Sequence, residues 1–172
     1  MEKGKIHLYT GNGKGKTSAA LGLALRATGH KRKVYIAQFV KGMHYGELDI
    51  INNRIPEIEL HQFGRDCFIN REPAKEDIDA ARNGLQKTAE ALISNNYDIY
   101  ILDEVCIAIY YNLFTINELL ETLDMRNKKC EIVLTGRYAP KELYDIADLV
   151  TEMKEIKHYY NNGVVARKGI EF

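Results

Sequence analysis

Thr10-Gly11-Asn12-Gly13-Lys14-Gly15-Lys16-Thr17-Ser18, running on into Ala19-Ala20-Leu21, is the stretch that decides the fold. The residues before it, Lys5 to Thr10, form a short β-rich run, and those after it favour a helix, so the glycines sit between a strand and a helix. Glycine tolerates the positive φ angles that let successive backbone N–H groups turn inward around an anion, and the helix adds the positive end of its dipole at the same point. Lys16 supplies a mobile cation for terminal phosphates and Thr17 a hydroxyl for Mg2+, the logic of the pattern G-x-x-x-x-G-K-[ST]. Gly15-Lys16-Thr17 fits that pattern, while Thr10 stands where it has its leading glycine. A turn without a ligand would leave the strand, the helix and the Lys-Thr pair unexplained, so Gly11 to Ser18 reads as a triphosphate loop.

Working outward, further strands are expected at Lys33 to Val40, Glu57 to Phe63, Asp98 to Leu102 and Cys130 to Leu134. A helix is expected from about Pro73 to Asn95, where Ile78, Ala81, Leu85, Ala89 and Leu92 fall on one face and Glu76 and Asp77 complement the dipole. Another opens with the capping-box pattern of Thr115 to Glu118 and buries Ile116, Leu119, Leu120 and Leu123. Strands alternating with helices predict an α/β domain with a mostly parallel sheet covered on both faces, its ligand site at the carboxyl ends of the strands. Ile99 to Leu102 runs up to Asp103 and Glu104 at that edge, and these two carboxylates are the candidates for Mg2+. In the tail, Tyr159 to Phe172, the Asn161-Asn162-Gly163 sequence predicts a turn between two short extended pieces.

Composition narrows the function. The 172 residues carry 24 basic and 24 acidic side chains, a formal net charge of zero, with 45% apolar and 28% charged residues. That excludes a disordered tail, a coiled coil and a globally basic nucleic-acid or membrane surface. The balance is uneven, however: residues 1 to 41 hold nine Lys or Arg against Glu2 alone, a net +8 that leaves −8 for the rest. Lys14, Lys16, Arg26 and Lys41 lie in this positive segment, where a polyanion would be drawn. Cys67, Cys106 and Cys130 form no CxxC pair, no stretch is long and apolar enough to span a bilayer, and no signal core is visible, so a cytoplasmic protein of one domain, residues 1–172, is expected.

Taken together, Thr10 to Thr17, Arg26 to His30, Gln38 to Gly42, Leu102 to Glu104, Leu134 to Arg137, Asp145 to Asp148 and Val150 to His158 resemble, in order and spacing, the ATP:corrinoid adenosyltransferases. The resemblance runs from about residue 4 to 172. It implies a recombinase-type P-loop NTPase-like fold, usually a homodimer, that transfers the 5′-deoxyadenosyl group of ATP to the cobalt of a reduced corrinoid, cobalamin or a precursor, and releases triphosphate. It also implies an electron-donor protein such as a flavodoxin, and no nucleic-acid or membrane partner. By the same resemblance Asn12, Lys16 and Thr17 hold triphosphate and Mg2+, and Glu104 is the metal-associated acid. Arg26, Gln38, Lys41 and Arg137 lie near nucleotide or corrinoid, with His158 a weaker candidate.

Two departures stand out. Relatives can carry Gly-Phe-x-Trp, whose rings displace the lower cobalt ligand; here the aligned residues are Cys67-Phe68-Ile69-Asn70, so Phe68 keeps a corrinoid-facing ring and Asn70 replaces the Trp in a chain with none. Some relatives also have an N-terminal helical extension, whereas this chain reaches its first strand by Lys5. The alternatives are a P-loop small-molecule or nucleoside kinase, for which no cysteine tetrad or Arg-rich lid is visible, and a non-catalytic ATP-binding corrinoid carrier.

Overall fold

Along the central strands, successive side chains leave the sheet on opposite sides, and both sides are apolar. In β2 (Val34–Phe39) all six residues are buried: Val34 and Ile36 enter one core, Tyr35, Ala37 and Phe39 the other. The same division separates Ile99 and Ile101 from Tyr100 and Leu102 in β4 (Ile99–Asp103), and Val133 from Ile132 and Leu134 in β5 (Glu131–Thr135). The computed structural model describes residues 3–65 and 72–172. It also contains β1 (Ile6–Thr10), β3 (Ile58–Phe63) and β6 (Leu149–Glu152), in the order β3-β2-β4-β5-β1-β6. Every pairing is parallel, so the sheet is wholly parallel among the described residues.

Helices cover both faces. On one, α1 (Lys16–Thr28) lays Ala20, Ala24 and Ala27 against the sheet, with Ile51 of α2 (Gly46–Arg54) beside them. The other face packs α3 (Lys75–Ser94), α4 (Val105–Tyr110), α5 (Ile116–Asp124) and α6 (Lys141–Ile146) through Ala81, Leu85, Leu92, Cys106, Leu119, Leu123 and Leu143. The expected face of α3 is the buried or half-buried one, and its first turn is closed by Asp77, whose carboxylate accepts the Ala74 N–H at 2.8 Å. Gly84 lets β3 approach that helix, because a Cβ there would meet the Phe63 ring at 2.6 Å. The capping box of α5 is formed: Thr115 Oγ1 accepts from the Glu118 N–H at 3.2 Å and Glu118 Oε2 from the Thr115 N–H at 2.7 Å.

The five expected strands are found, and β6, α2, α4 and α6 are additions. Each addition is short or weakly patterned: β6 is four exposed residues, α4 is a six-residue apolar run, and α2 contains Gly46 and Asn52-Asn53 and fully buries Ile51 alone. The tail departs from expectation. Its turn is where the Asn-Asn-Gly sequence put it, but as a 3-10 turn, Tyr159–Asn162, ending on Gly163 at φ 81°, and the stretch after it forms no strand: residues 164–167 are irregular and residues 168–171 a turn. No neighbouring strand offers them a ladder, so their backbone bonds close within the tail, as in Gly163 N–H to Tyr160 O at 2.9 Å.

Thr115→Ala removes the cap acceptor and is expected to destabilise the protein by about 1 kcal/mol, read from urea unfolding midpoints at constant slope.

Candidate functional site

At the carboxyl edge of β1 the chain turns through Gly11, at φ 94°, and Gly15, at φ 119°, before entering α1. The departure at Thr10 has a local reason: Thr10 is the last, buried residue of β1 and pairs with Glu152 of β6, so the positive φ falls one residue later. A Cβ on Gly11 or Gly13 would meet the Met153 carbonyl oxygen at 2.5 or 2.6 Å, so the chain leaving β6 requires small residues here. That same carbonyl accepts the Gly13 N–H at 2.6 Å. Among the donors left for an anion are the first-turn amides of α1, from Gly15 to Ser18, which have no intrahelical acceptor. Lys16 is buried beneath them, donating to Gly11 O at 2.8 Å and Gly13 O at 2.7 Å. Burial lowers its pKa, against the pull of Glu104 and Asp103.

Asp103 gathers the neighbouring strands onto this loop. Its carboxylate is 1% exposed and accepts from Thr17 Oγ1 at 2.9 Å, Thr135 Oγ1 at 2.7 Å, Lys41 Nζ at 2.7 Å and Gln38 Nε2 at 3.4 Å. Lys41 Nζ also lies 3.2 Å from Thr17 Oγ1. The turn that delivers Lys41 passes through Val40 at φ 59°, a conformation costly for a β-branched residue. Burial opposes the Lys41 charge, but the Asp103 carboxylate outweighs it and the net pKa shift is upward. Glu104 follows at φ 58°, held there by its N–H donating to Thr135 Oγ1 at 2.9 Å. Its carboxyl pKa is raised, first by burial and then by Asp103.

These groups open onto a cleft of about 750 Å3. Lys16, Thr17, Lys41, Glu104 and Arg137 line its polar end; Leu21, Leu25, Ile50, Ile51 and Ile55 line an apolar trough between α1 and α2; the chain end, Gly169 to Phe172, lines a further part. The cleft thus joins an end lined by Lys16, Lys41 and Arg137 to an apolar one, the pairing that a nucleotide and a large apolar ring would require.

Residues 2–172 match the model of the family described as ATP:corrinoid adenosyltransferase BtuR/CobO/CobP. The chain belongs to the ATP:corrinoid adenosyltransferase family. It is 33% identical over 172 residues to the corrinoid adenosyltransferase of Escherichia coli (strain K12), covering 99% of this chain and 87% of that relative. It is 33% identical to the corrinoid adenosyltransferase of Pseudomonas aeruginosa, covering 99% and 85%, and 32% identical to the corrinoid adenosyltransferase CobA of Salmonella typhimurium, covering 99% and 87%. The P-loop type α/β fold of this adenosyltransferase and its ATP-dependent action on corrinoids accord with these relatives.

In this adenosyltransferase the structure brings together Gly15, Lys16, Thr17, Ser18, Gln38, Lys41, Asp103, Glu104 and Arg137 at one edge. It separates others from that group. Arg26 is exposed in the last turn of α1, about 15 Å along the helix from Lys16 at 1.5 Å per residue, in a separate depression with His30 and Asp98. Asn12 is exposed on the loop and outside the cleft lining, and Gly13 spends its N–H on Met153. Lys14 lines the cleft, but its ammonium is bound by the chain end. His158 lines the cleft too, with its Nδ1 accepting the Tyr160 N–H at 3.1 Å. Cys67, Phe68, Ile69 and Asn70 lie outside the described residues. Cys106 and Cys130 are buried free thiols, and burial, followed by Glu104, pushes Cys106 up to about 12. Sequence reasoning missed Thr135 and the apolar trough. Thr135 was signalled by its place at the end of a buried strand, before Gly136-Arg137; the trough required α2, which has little helical signature.

A lysine whose pKa is raised on folding adds stability that is fully present below its ordinary value, 10.5, and is lost as pH rises through the folded value. Asp103→Asn is therefore expected to cost about 3–5 kcal/mol at neutral pH, by leaving a buried cation without its counter-ion. The difference from wild type should shrink above pH 10.5, which urea unfolding at pH 7 to 11 measures.

Proposed function

We propose that the cleft is where adenosyl transfer takes place and that its polar end binds the triphosphate of ATP. The observation that carries this is the lodging of the Lys41 ammonium between the Thr17 hydroxyl and the buried Asp103 carboxylate, at 3.2 and 2.7 Å. A cation held by hard oxygens at the mouth of a phosphate loop marks a place suited to Mg2+, and no cluster of three or more His, Cys, Asp or Glu competes for that role among the described residues. Thr17, Asp103 and Glu104 would hold Mg2+, which when bound supplies positive charge to the triphosphate.

In the reaction the cobalt(I) lone pair of the corrinoid attacks the ribose 5′ carbon. The Co–C bond forms, the C5′–O bond breaks, and the electron pair leaves on the α-phosphate oxygen with the whole triphosphate. Cobalt(I) carries no proton, so no general base is required. What this chain supplies is charge aimed at the leaving group: the ammonium of Lys16 and the amides of Gly15 to Ser18 stabilise it more in the transition state than in the bound substrate. Arg137, exposed at the cleft mouth, adds a second cation, and Gln38 steadies the Asp103 carboxylate. The trough formed by Leu21, Leu25 and Ile50 offers apolar surface against which a bound corrinoid ring would pack. We propose further that the working form is a homodimer, that an electron-donor protein such as a flavodoxin reduces the corrinoid from cobalt(II) to cobalt(I), and that Phe68 crowds the lower face of cobalt; all three proposals rest on family resemblance. Loss of activity by Phe68→Ala is then expected to be greater from cobalt(II) than from pre-reduced cobalt(I).

The decisive experiment is an anaerobic assay with ATP, Mg2+ and chemically reduced cobalamin. Triphosphate and a Co–C absorption band are the expected products; ADP with a phosphorylated acceptor would mean a kinase, and ATP binding without turnover a carrier. Lys16→Ala is expected to lower kcat by roughly 10²–10³-fold and to abolish the ATP-induced rise in Tm. Because burial and Asp103 raise the Glu104 pKa above its ordinary 4.5, protons should compete with Mg2+ from a pH above that value. The Mg2+ concentration giving half-maximal rate should therefore climb as pH falls, and Glu104→Gln should flatten that dependence.

A further inference from the structure

The Lys14 side chain points its charge away from the phosphate loop that carries it. Its ammonium donates to Tyr159 Oη at 3.0 Å, Ile170 O at 3.1 Å and Glu171 Oε1 at 2.8 Å. An ammonium has three N–H donors, so these three acceptors use all of them. The Glu171 carboxylate also accepts from the Tyr159 hydroxyl and, at 2.7 Å, from the Arg167 N–H, while the Arg167 guanidinium lies 3.5 Å from its Oε1 and 4.9 Å from the centre of the Tyr159 ring. Lys14, first, and then Tyr159 hold the Glu171 carboxyl down to about 2. Beyond Met153 the backbone hydrogen bonds of the tail close on the tail itself, and among the described residues its polar ties to the body converge on Lys14. Yet Ile170 and Phe172, which flank Glu171, line the same cleft as Ile50 and Ile55.

We propose that Glu171 is a positioning residue for adenosyl transfer: acting through Lys14, it pins the end of the chain as a wall of the substrate cleft. Lys14 is then an anchor for that wall and not a ligand of the triphosphate, which is left to Lys16 and the amides of α1. This rests on the reading of the cleft as the reaction site. Two features favour the apolar substrate as the one the wall retains. Ile170 and Phe172 add apolar surface to a trough that is already apolar, and the polar end has its own cations without Lys14. Lys14 and Arg167 are exposed while Tyr159 and Glu171 are half-buried, so salt reaches and screens the network, and its release is a several-fold effect that grows with ionic strength.

Glu171→Gln and Tyr159→Phe each remove one member of the network and leave the loop intact. Trypsin cleavage after Arg167 and Lys168, ATP affinity by calorimetry, and KM and kcat for reduced cobalamin are measured for each and for the double variant. Cleavage is expected to accelerate roughly fivefold in each single variant and little further in the double, because both act on one network. KM for the corrinoid should rise with kcat little changed, and ATP affinity should stay within about twofold. Wild-type cleavage rates in both variants, or an unchanged corrinoid KM, would overturn the proposal. So would Lys14→Gln if it weakened ATP binding tenfold or more while cleavage stayed at the wild-type rate. If the wild-type protein transfers no adenosyl group, the functional reading fails and the role in transfer fails with it, while proteolysis and ATP affinity still decide whether Lys14 anchors the tail.

Discussion

A buried carboxylate must find partners, and Asp103 finds four, on three elements and a turn. Thr17 comes from α1, Gln38 and Lys41 from β2 and the turn beyond it, and Thr135 from the end of β5. Leaving that charge unpaired at 1% exposure would cost several kcal/mol, so the arrangement of loop, strands and lysine is coupled to one group. Among the described residues no buried side-chain nitrogen or oxygen lacks a partner, which shows how fully that demand is met. The phosphate loop is held in register with the sheet by this polar network as much as by the alanines of α1 beneath it.

Around this centre the backbone is strained where it matters. Val40, Glu104 and Tyr138 all take positive φ, near 58°, at the carboxyl edge of the sheet, directly after β2, β4 and close behind β5. Each such residue costs on the order of 1–3 kcal/mol and persists only where the surroundings over-determine it. The surroundings here are strand ends fixed by the ladder and by Thr135, which binds both Asp103 and the Glu104 N–H. The strain turns Lys41 and Glu104 toward the cleft.

Charge follows the same economy. The excess of base in the first 41 residues divides in the folded protein: Lys16 and Lys41 serve the cleft, Lys14 binds the chain end, and Arg32 pairs with Asp98 at 2.7 Å near the other end of α1. Neutral composition therefore conceals a local concentration of cations at the cleft, while only part of the positive segment belongs to it. Arg26 shows the limit of reasoning from segment charge, since a helix carries it a whole length away from the loop.

By itself the sequence determined the local states. Gly11 to Thr17 could be read as a phosphate loop because glycine conformations and the Lys-Thr pair are properties of neighbouring residues. The faces of α3 and α5 were legible because periodicity is local, and Asp103 was legible because a buried run of β-formers ended on it. Several short motifs in order were enough to mark the family. Only the tertiary structure decided which of these residues meet. Lys14 and Glu171 are 157 positions apart, Thr17 and Asp103 are 86 apart, and the trough depends on a helix with little pattern of its own. Such contacts depend on the sheet order, which sets β1 between β5 and β6, and sheet order is a global packing result that no window of sequence contains.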